Sequence, residues 1–193
     1  LYGYAWNKVY RVQSLRESGV VFEKITLIED IKFNVSYFDS VCSMNVLNTT
    51  PYHYLKRIDG SLTNKFLPDY FTLNAERVFL VLEQYKNWGM CTEEVRRILA
   101  NIYVRYLFSA LQRNCDKRSD MNHAQRKEWL KQQYKTPLCK ELLSAVQASG
   151  TLFKCMAKAF CAGNIPLCLM IARSIFAVKS AFPTVFSTLK QQR

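Results

Sequence analysis

The sequence lacks the compact signatures of metal and phosphate chemistry. Its Asp residues (30, 39, 59, 69, 116 and 120) never fall two apart, no glycine-rich phosphate loop is present, and the 2 His cannot build a metal cluster. Only 6 Gly and 5 Pro argue against an all-β fold with many tight turns. Long apolar runs are missing too. The stretch Ile165–Val178 has 14 residues and contains Arg173, whereas a bilayer span needs about 20 apolar residues. The 7 Cys are an odd number with no C-x-x-C spacing, which reads as thiols kept reduced rather than as a disulfide framework or a zinc knuckle. Acidic residues stop at Glu141. From Leu142 to Arg193 there are six basic residues and no acidic one.

What remains is the composition of a globular protein. The 193 residues are 49% hydrophobic and 22% charged, enough for one well-cored domain or a small domain with a helical appendage. The net charge of +12 is concentrated by the acid-free tail, which calls for an anionic neighbour: nucleic acid, a membrane surface or a phosphorylated substrate. The chain starts at Leu1 in a segment already patterned like a helix, so a piece of a longer protein is expected.

The hydrophobic spacing divides the chain into a small mixed segment, 1–67, and a helical one, 68–193. Residues 4–18 read as a helix stopped by Gly19, Val20–Phe22 as a short extended piece, and 29–40 as a second helix with Ile31, Val35 and Phe38 in step. Residues 43–56 alternate as a strand candidate, broken by the Asn48-Thr-Thr-Pro51 turn. The clearest helix runs from about Thr92 to Gln112, N-capped by Thr92, with an apolar stripe of Val95, Ile98, Leu99, Ile102, Tyr106 and Ala110. Residues 116–127 read as a polar linker. Further helices are expected over 137–148, 152–162 and 166–179.

Three stretches carry chemistry: 'YAWNKVYR' (4–11), 'GVVFEKITLIEDIKFNVSYF' (19–38) and 'VLNTTPYHYLKRIDGSLTNKF' (46–66). In order and spacing they resemble the second half of the catalytic domain of bacterial family 2 glycosyltransferases. There W-N-K-L-Y-R precedes an F near E-D-x-x-F-N, and a Y-x-Y-R-x-R stretch ends in S-L-T or S-I-S. The resemblance implies the C-terminal part of a GT-A domain, two helices and a short strand or hairpin, followed by a bundle-like helical extension. It implies an inverting transferase that uses a nucleotide-sugar donor and a glycan or lipid-linked acceptor, as in polysaccharide biosynthesis. Mg or Mn would serve the full-length enzyme, with no metal ligand or other cofactor in this chain.

By the same resemblance Asp30 is the general base that takes the acceptor hydroxyl's proton. Its place at a helix N-terminus is expected to keep it ionised. Trp6, Asn7 and Lys8 fall on the acceptor side, joined by Glu29 and Asn34, with Phe33 as a shield. Lys56, Arg57, Ser61 and Thr63 fall beside the donor diphosphate. 'YLKRIDGS' carries one residue more than the family spacing, which leaves open whether Lys56 or Arg57 is the equivalent cation. His53 reads as a solvent-facing strand residue. Taken alone, Glu29 and Asp30 are also ordinary first-turn helix residues, and Trp6 is an ordinary core residue.

Two other functions fit parts of the pattern. A non-catalytic helical interaction module would use Glu29 and Asp30 as a cap. A basic nucleic-acid-binding domain would use the charge, but the cations are dispersed and no reading motif is present, so nucleic acid is not expected. The expected setting is cytoplasmic. Residues 150–193 either complete the core of 68–148 or also lie on the inner face of the membrane, with Lys154, Lys158, Arg173 and Lys179 at headgroups and Phe153, Phe160, Phe176 and Phe182 in the interface. Apolar surface on 1–67 is expected to drive self-association.

Overall fold

A computed structural model describes residues 3–25, 27–49, 52–53 and 66–182. The protein is mainly α-helical, with eight helices and no strand among the described residues. They are α1 (Val12–Ser18), α2 (Glu29–Phe38), α3 (Tyr70–Asn87), α4 (Glu93–Arg113), α5 (His123–Lys135), α6 (Pro137–Leu143), α7 (Thr151–Cys161) and α8 (Ile165–Ala181). The chain divides into two compact units. One comprises Leu1–Leu67 and Glu76–Met90, the other Pro68–Ala75 and Cys91–Arg193, so the first six residues of α3 belong to the second unit and the rest to the first.

In the first unit α2 is the organising element. Ile28, Ile31, Phe33, Val35, Tyr37 and Phe38 are all buried, which leaves the helix few exposed positions. The remainder of α3 is tied to it by polar contacts. Gln84, itself buried, donates from Nε2 to the Val35 carbonyl at 2.6 Å and to Asp39 Oδ1 at 2.8 Å. Lys32 of α2 pairs with Glu76 at 2.8 Å and with Glu23 at 3.4 Å. Such half-exposed pairs fix geometry more than they stabilise.

Two expectations for this unit change. The helix expected over 4–18 forms only from Val12, because residues 4–10 instead fold back towards α2. It ends where foreseen, at Gly19, whose φ of 64° suits a residue without a Cβ. The strand expected over 43–56 is absent from its described part, 43–49 and 52–53. A strand needs a ladder partner and a buried face. Among the described residues there is no second strand, and Met44, Val46, Leu47 and Tyr52 are all exposed.

The second unit is a helical cluster around α4. Thr92 caps α4 by accepting from Val95 N–H at 3.3 Å, and Glu93 and Glu94 fill the first turn, where negative charge is favoured. Its buried face is Leu99, Ala100, Tyr103, Val104, Leu107, Phe108 and Leu111, against α6, α7 and α8. The expected stripe shares Leu99 and Ala110 with this buried face, but its other members lie off it, and Ile98 is 47% exposed. The helix is apolar on more than one side, so its neighbours decide which side is covered. The expected linker 116–127 already contains the start of α5, fixed by a capping box: Asn122 N–H donates to Gln125 Oε1 at 2.7 Å and Gln125 N–H to Asn122 Oδ1 at 2.9 Å. Thr136 and Asn164 cap α6 and α8, each with a proline in the first turn.

α7 and α8 pack on each other and on α4. Phe153 and Phe160 are 8% and 1% exposed. Arg105 lies 4.3 Å over the Phe153 ring, and Tyr134 stacks on Phe160 while donating to its carbonyl at 2.7 Å. These two rings are core residues, not residues of a membrane interface, which corrects that part of the expectation. Phe176 is half-buried and Phe182 is 59% exposed. No helix among the described residues is long and apolar enough to cross a membrane.

Candidate functional site

The site is built where the N-terminal loop, residues 3–10, meets the first turn of α2. The chain enters α2 through Leu27, whose φ of 90° is rare for a residue with a branched side chain and is strained. The Leu27 carbonyl accepts from Arg77 Nη2 of α3 at 3.2 Å, which braces that turn. Ile28 follows, fully buried, and anchors the helix start. Glu29 and Asp30 then occupy the first turn, both half-buried.

Asp30 meets the loop directly. Its carboxylate accepts a backbone hydrogen bond from Ala5, and Lys8 and Arg77 lie close enough to attract it. Burial nevertheless dominates. Together with the negative charge of Glu29 it holds the Asp30 carboxyl above the usual carboxylate range, against the opposing pull of Ala5, Lys8 and Arg77. The expected effect of the helix terminus is therefore outweighed, and Asp30 is a stronger base than a solvated aspartate. Burial also lowers the pKa of Lys8 despite Asp30 beside it. Lys8 Nζ donates to the Tyr4 carbonyl and, at 2.7 Å, to Asn7 Oδ1, so Asn7 and Lys8 form one polar unit. Glu29 Oε2 is buried and has no hydrogen-bond partner among the described residues.

Tyr10 fastens the loop to the helix. Its hydroxyl donates to Asn34 Oδ1 at 2.7 Å and lies 3.4 Å from the Ala5 carbonyl, while its ring meets Phe33 and Tyr37 edge-on at 5.3 and 5.1 Å. Burial, then the charges of Asp30 and Tyr37, push the Tyr10 phenol up to about 12, so it stays a neutral donor. Asn34 is 0% exposed and accepts from the Tyr10 hydroxyl. Phe33 is buried under Phe22, the rings stacked at 4.0 Å.

Trp6 lies on the outer side of the loop, 39% exposed, and stacks with both Tyr4 and Tyr52, at 4.9 and 4.6 Å between centroids. Tyr4 and Tyr52 are themselves about half exposed, which makes a three-ring aromatic surface. Stacked rings of this kind offer apolar faces to the C–H side of a sugar while hydroxyls reach nearby polar groups.

Thus the structure brings Trp6, Asn7, Lys8, Glu29, Asp30 and Asn34 to one loop–helix junction. Lys56, Arg57, Ser61 and Thr63 lie outside the described residues. His53 is exposed. Sequence reasoning passed over Tyr10, Tyr52, Arg77 and the Ala5 amide. Tyr10 lies inside the quoted 'YAWNKVYR', so its signal was present. A backbone N–H and an arginine 47 positions from Asp30 leave none. Among the described residues no three His, Cys, Asp or Glu side chains converge as a metal site. No family model, no curated protein and no solved structure matches this chain.

Proposed function

We propose that this chain is the acceptor-side portion of an inverting glycosyltransferase of the family 2, GT-A type, and that Asp30 is its general base. The observation that carries the reading is Asp30 itself: a half-buried carboxylate with a raised pKa in the first turn of α2, held by the Ala5 amide and Lys8 of the loop that presents Trp6. In the reaction the acceptor oxygen forms a bond to the anomeric carbon, the bond from that carbon to the diphosphate breaks, and the hydroxyl proton passes to Asp30. A base with raised proton affinity suits this step at neutral pH. The Tyr4–Trp6–Tyr52 surface would seat the acceptor sugar, and Asn7, Lys8 and Glu29 would meet its hydroxyls.

The sequence holds no Asp pair two apart, so in this reading the donor nucleotide and its metal are bound by residues outside these 193. Lys56, Arg57, Ser61 and Thr63 would complete the diphosphate side, where cations and hydroxyls offset the leaving group's charge. Calorimetry of the 193-residue chain against UDP-, GDP- and dTDP-sugars tests the division. No binding is expected, because half of a site lacks the preorganised donor contacts. Micromolar affinity would place the donor site on this chain and overturn the reading.

A further inference from the structure

The second unit contains a depression that the transferase reading does not use. It has a volume of about 380 Å³ and lies between α7 and the α6–α7 connection, lined by Val146, Ala148, Lys154, Ala157, Lys158 and Cys161. The four α7 positions are spaced i, i+3, i+4 and i+7, so they form one face of that helix. The opposite wall is fixed in place. Asn101 of α4 clamps the backbone of Gln147, donating from Nδ2 to its carbonyl at 2.8 Å and accepting its N–H at 3.1 Å. That clamp sets Val146 and Ala148, on either side of Gln147, against α7.

The charge pattern names the occupant. Lys154 and Lys158 are exposed like charges one turn apart, an arrangement that opposes the helix unless something anionic lies between them. Among the described residues neither ammonium forms an ion pair, and no acidic residue follows Glu141, which pairs with Arg96. The remaining lining is small and apolar. We propose that this depression binds a phosphate ester, its oxygens between the Lys154 and Lys158 ammonium groups and its organic part against Val146, Ala148 and Ala157. The phosphate could arrive on a soluble molecule or as a lipid headgroup. The proposal stands whether or not Asp30 is a catalytic base.

Cys161, on the wall of the depression, reports occupancy, and Cys155, exposed on α7 but outside the lining, is the control. The full chain is alkylated with iodoacetamide at fixed pH, and the two cysteines are followed by peptide mass spectrometry. Glycerol phosphate at ~20 mM should slow Cys161 about tenfold or more if it binds at about millimolar strength, by the factor 1 + [L]/Kd. Cys155 should not change, and sodium chloride of equal ionic strength should protect neither. A parallel arm replaces glycerol phosphate with phosphatidylglycerol vesicles. Protection in the soluble arm supports the site with a free ester, and protection by vesicles alone supports it with a lipid headgroup. The double change Lys154→Gln and Lys158→Gln should abolish the protection. Cys161 unprotected in both arms, Cys155 slowed equally, or protection that survives the double change would each overturn the proposal.

Discussion

Replacing Tyr10 by Phe removes one oxygen and leaves the ring where it packs edge-on against Phe33 and Tyr37. That oxygen is the donor to Asn34 Oδ1 at 2.7 Å, and Asn34 is fully buried, so water cannot replace the bond without opening the junction. Taking one partner from a buried polar pair costs about 1–3 kcal/mol. In a chain of this size each kcal/mol lowers Tm by about 2–4 °C, so the melting transition should fall by roughly 2–12 °C. The change should also reach Asp30. The Ala5 carbonyl lies beside the Tyr10 hydroxyl while the Ala5 backbone hydrogen-bonds to the Asp30 carboxylate. Loosening the loop weakens that stabilising bond and should raise the Asp30 pKa further. Calorimetry and an NMR titration of the Asp30 carboxyl carbon read the two effects separately. Ser36→Ala, at an exposed position on the same helix, is the control and should move neither. An unchanged Tm together with an unchanged Asp30 titration would refute the claim that Tyr10 fastens the loop.

Because the Asp30 carboxyl titrates above the ordinary carboxylate range in the fold, its ionisation opposes folding. The stability it contributes is full below the unfolded pKa and is lost as pH rises through the folded one. Asp30→Asn should therefore match the wild type at about pH 4 and melt slightly higher at neutral pH. A less stable Asp30→Asn protein in a neutral-pH melt would contradict this. Phe160→Ala should destabilise the second unit by about 3–5 kcal/mol, because the ring is 1% exposed and stacked on Tyr134. Phe182→Ser, at an exposed site, should leave Tm in place yet reduce cosedimentation with phosphatidylglycerol vesicles if the tail lies on membranes. Equal recovery of Phe182→Ser and wild type on those vesicles would remove Phe182 from any membrane contact. In an intact transferase, changing Lys56 and Arg57 together to Ala should raise the donor KM more than the acceptor KM, and the reverse would assign that segment to the acceptor.

Helices with local start and stop chemistry were legible in the sequence. Thr92 and Glu93-Glu94 announce α4, Pro137 and Pro166 lie in the first turns of α6 and α8, and Gly19 ends α1, because each signal acts within one turn. Features decided by partners were not. The covered face of α4 depends on which sides α6, α7 and α8 take. The N-terminal loop was mistaken for helix because Trp6, Val9 and Tyr10 also fit a helical period, although Trp6 and Tyr10 serve ring stacking and a hydrogen bond. At the candidate site, the residues of 'WNK' and 'ED' singled out in the sequence fall at one loop–helix junction. What sets the proton affinity of Asp30 is burial, and burial belongs to the assembled fold.

The central claim rests on whether Asp30 takes a proton during sugar transfer. The direct measurement is turnover by an intact enzyme containing these residues, wild type against Asp30→Asn, with labelled nucleotide-sugar and its acceptor. The amide keeps the shape and cannot accept the proton, so kcat should fall on the order of 10²–10⁴-fold while donor KM stays near its normal value. Retention of roughly a third of the wild-type rate would contradict the account, because an enzyme that needs this base cannot lose it at so small a cost.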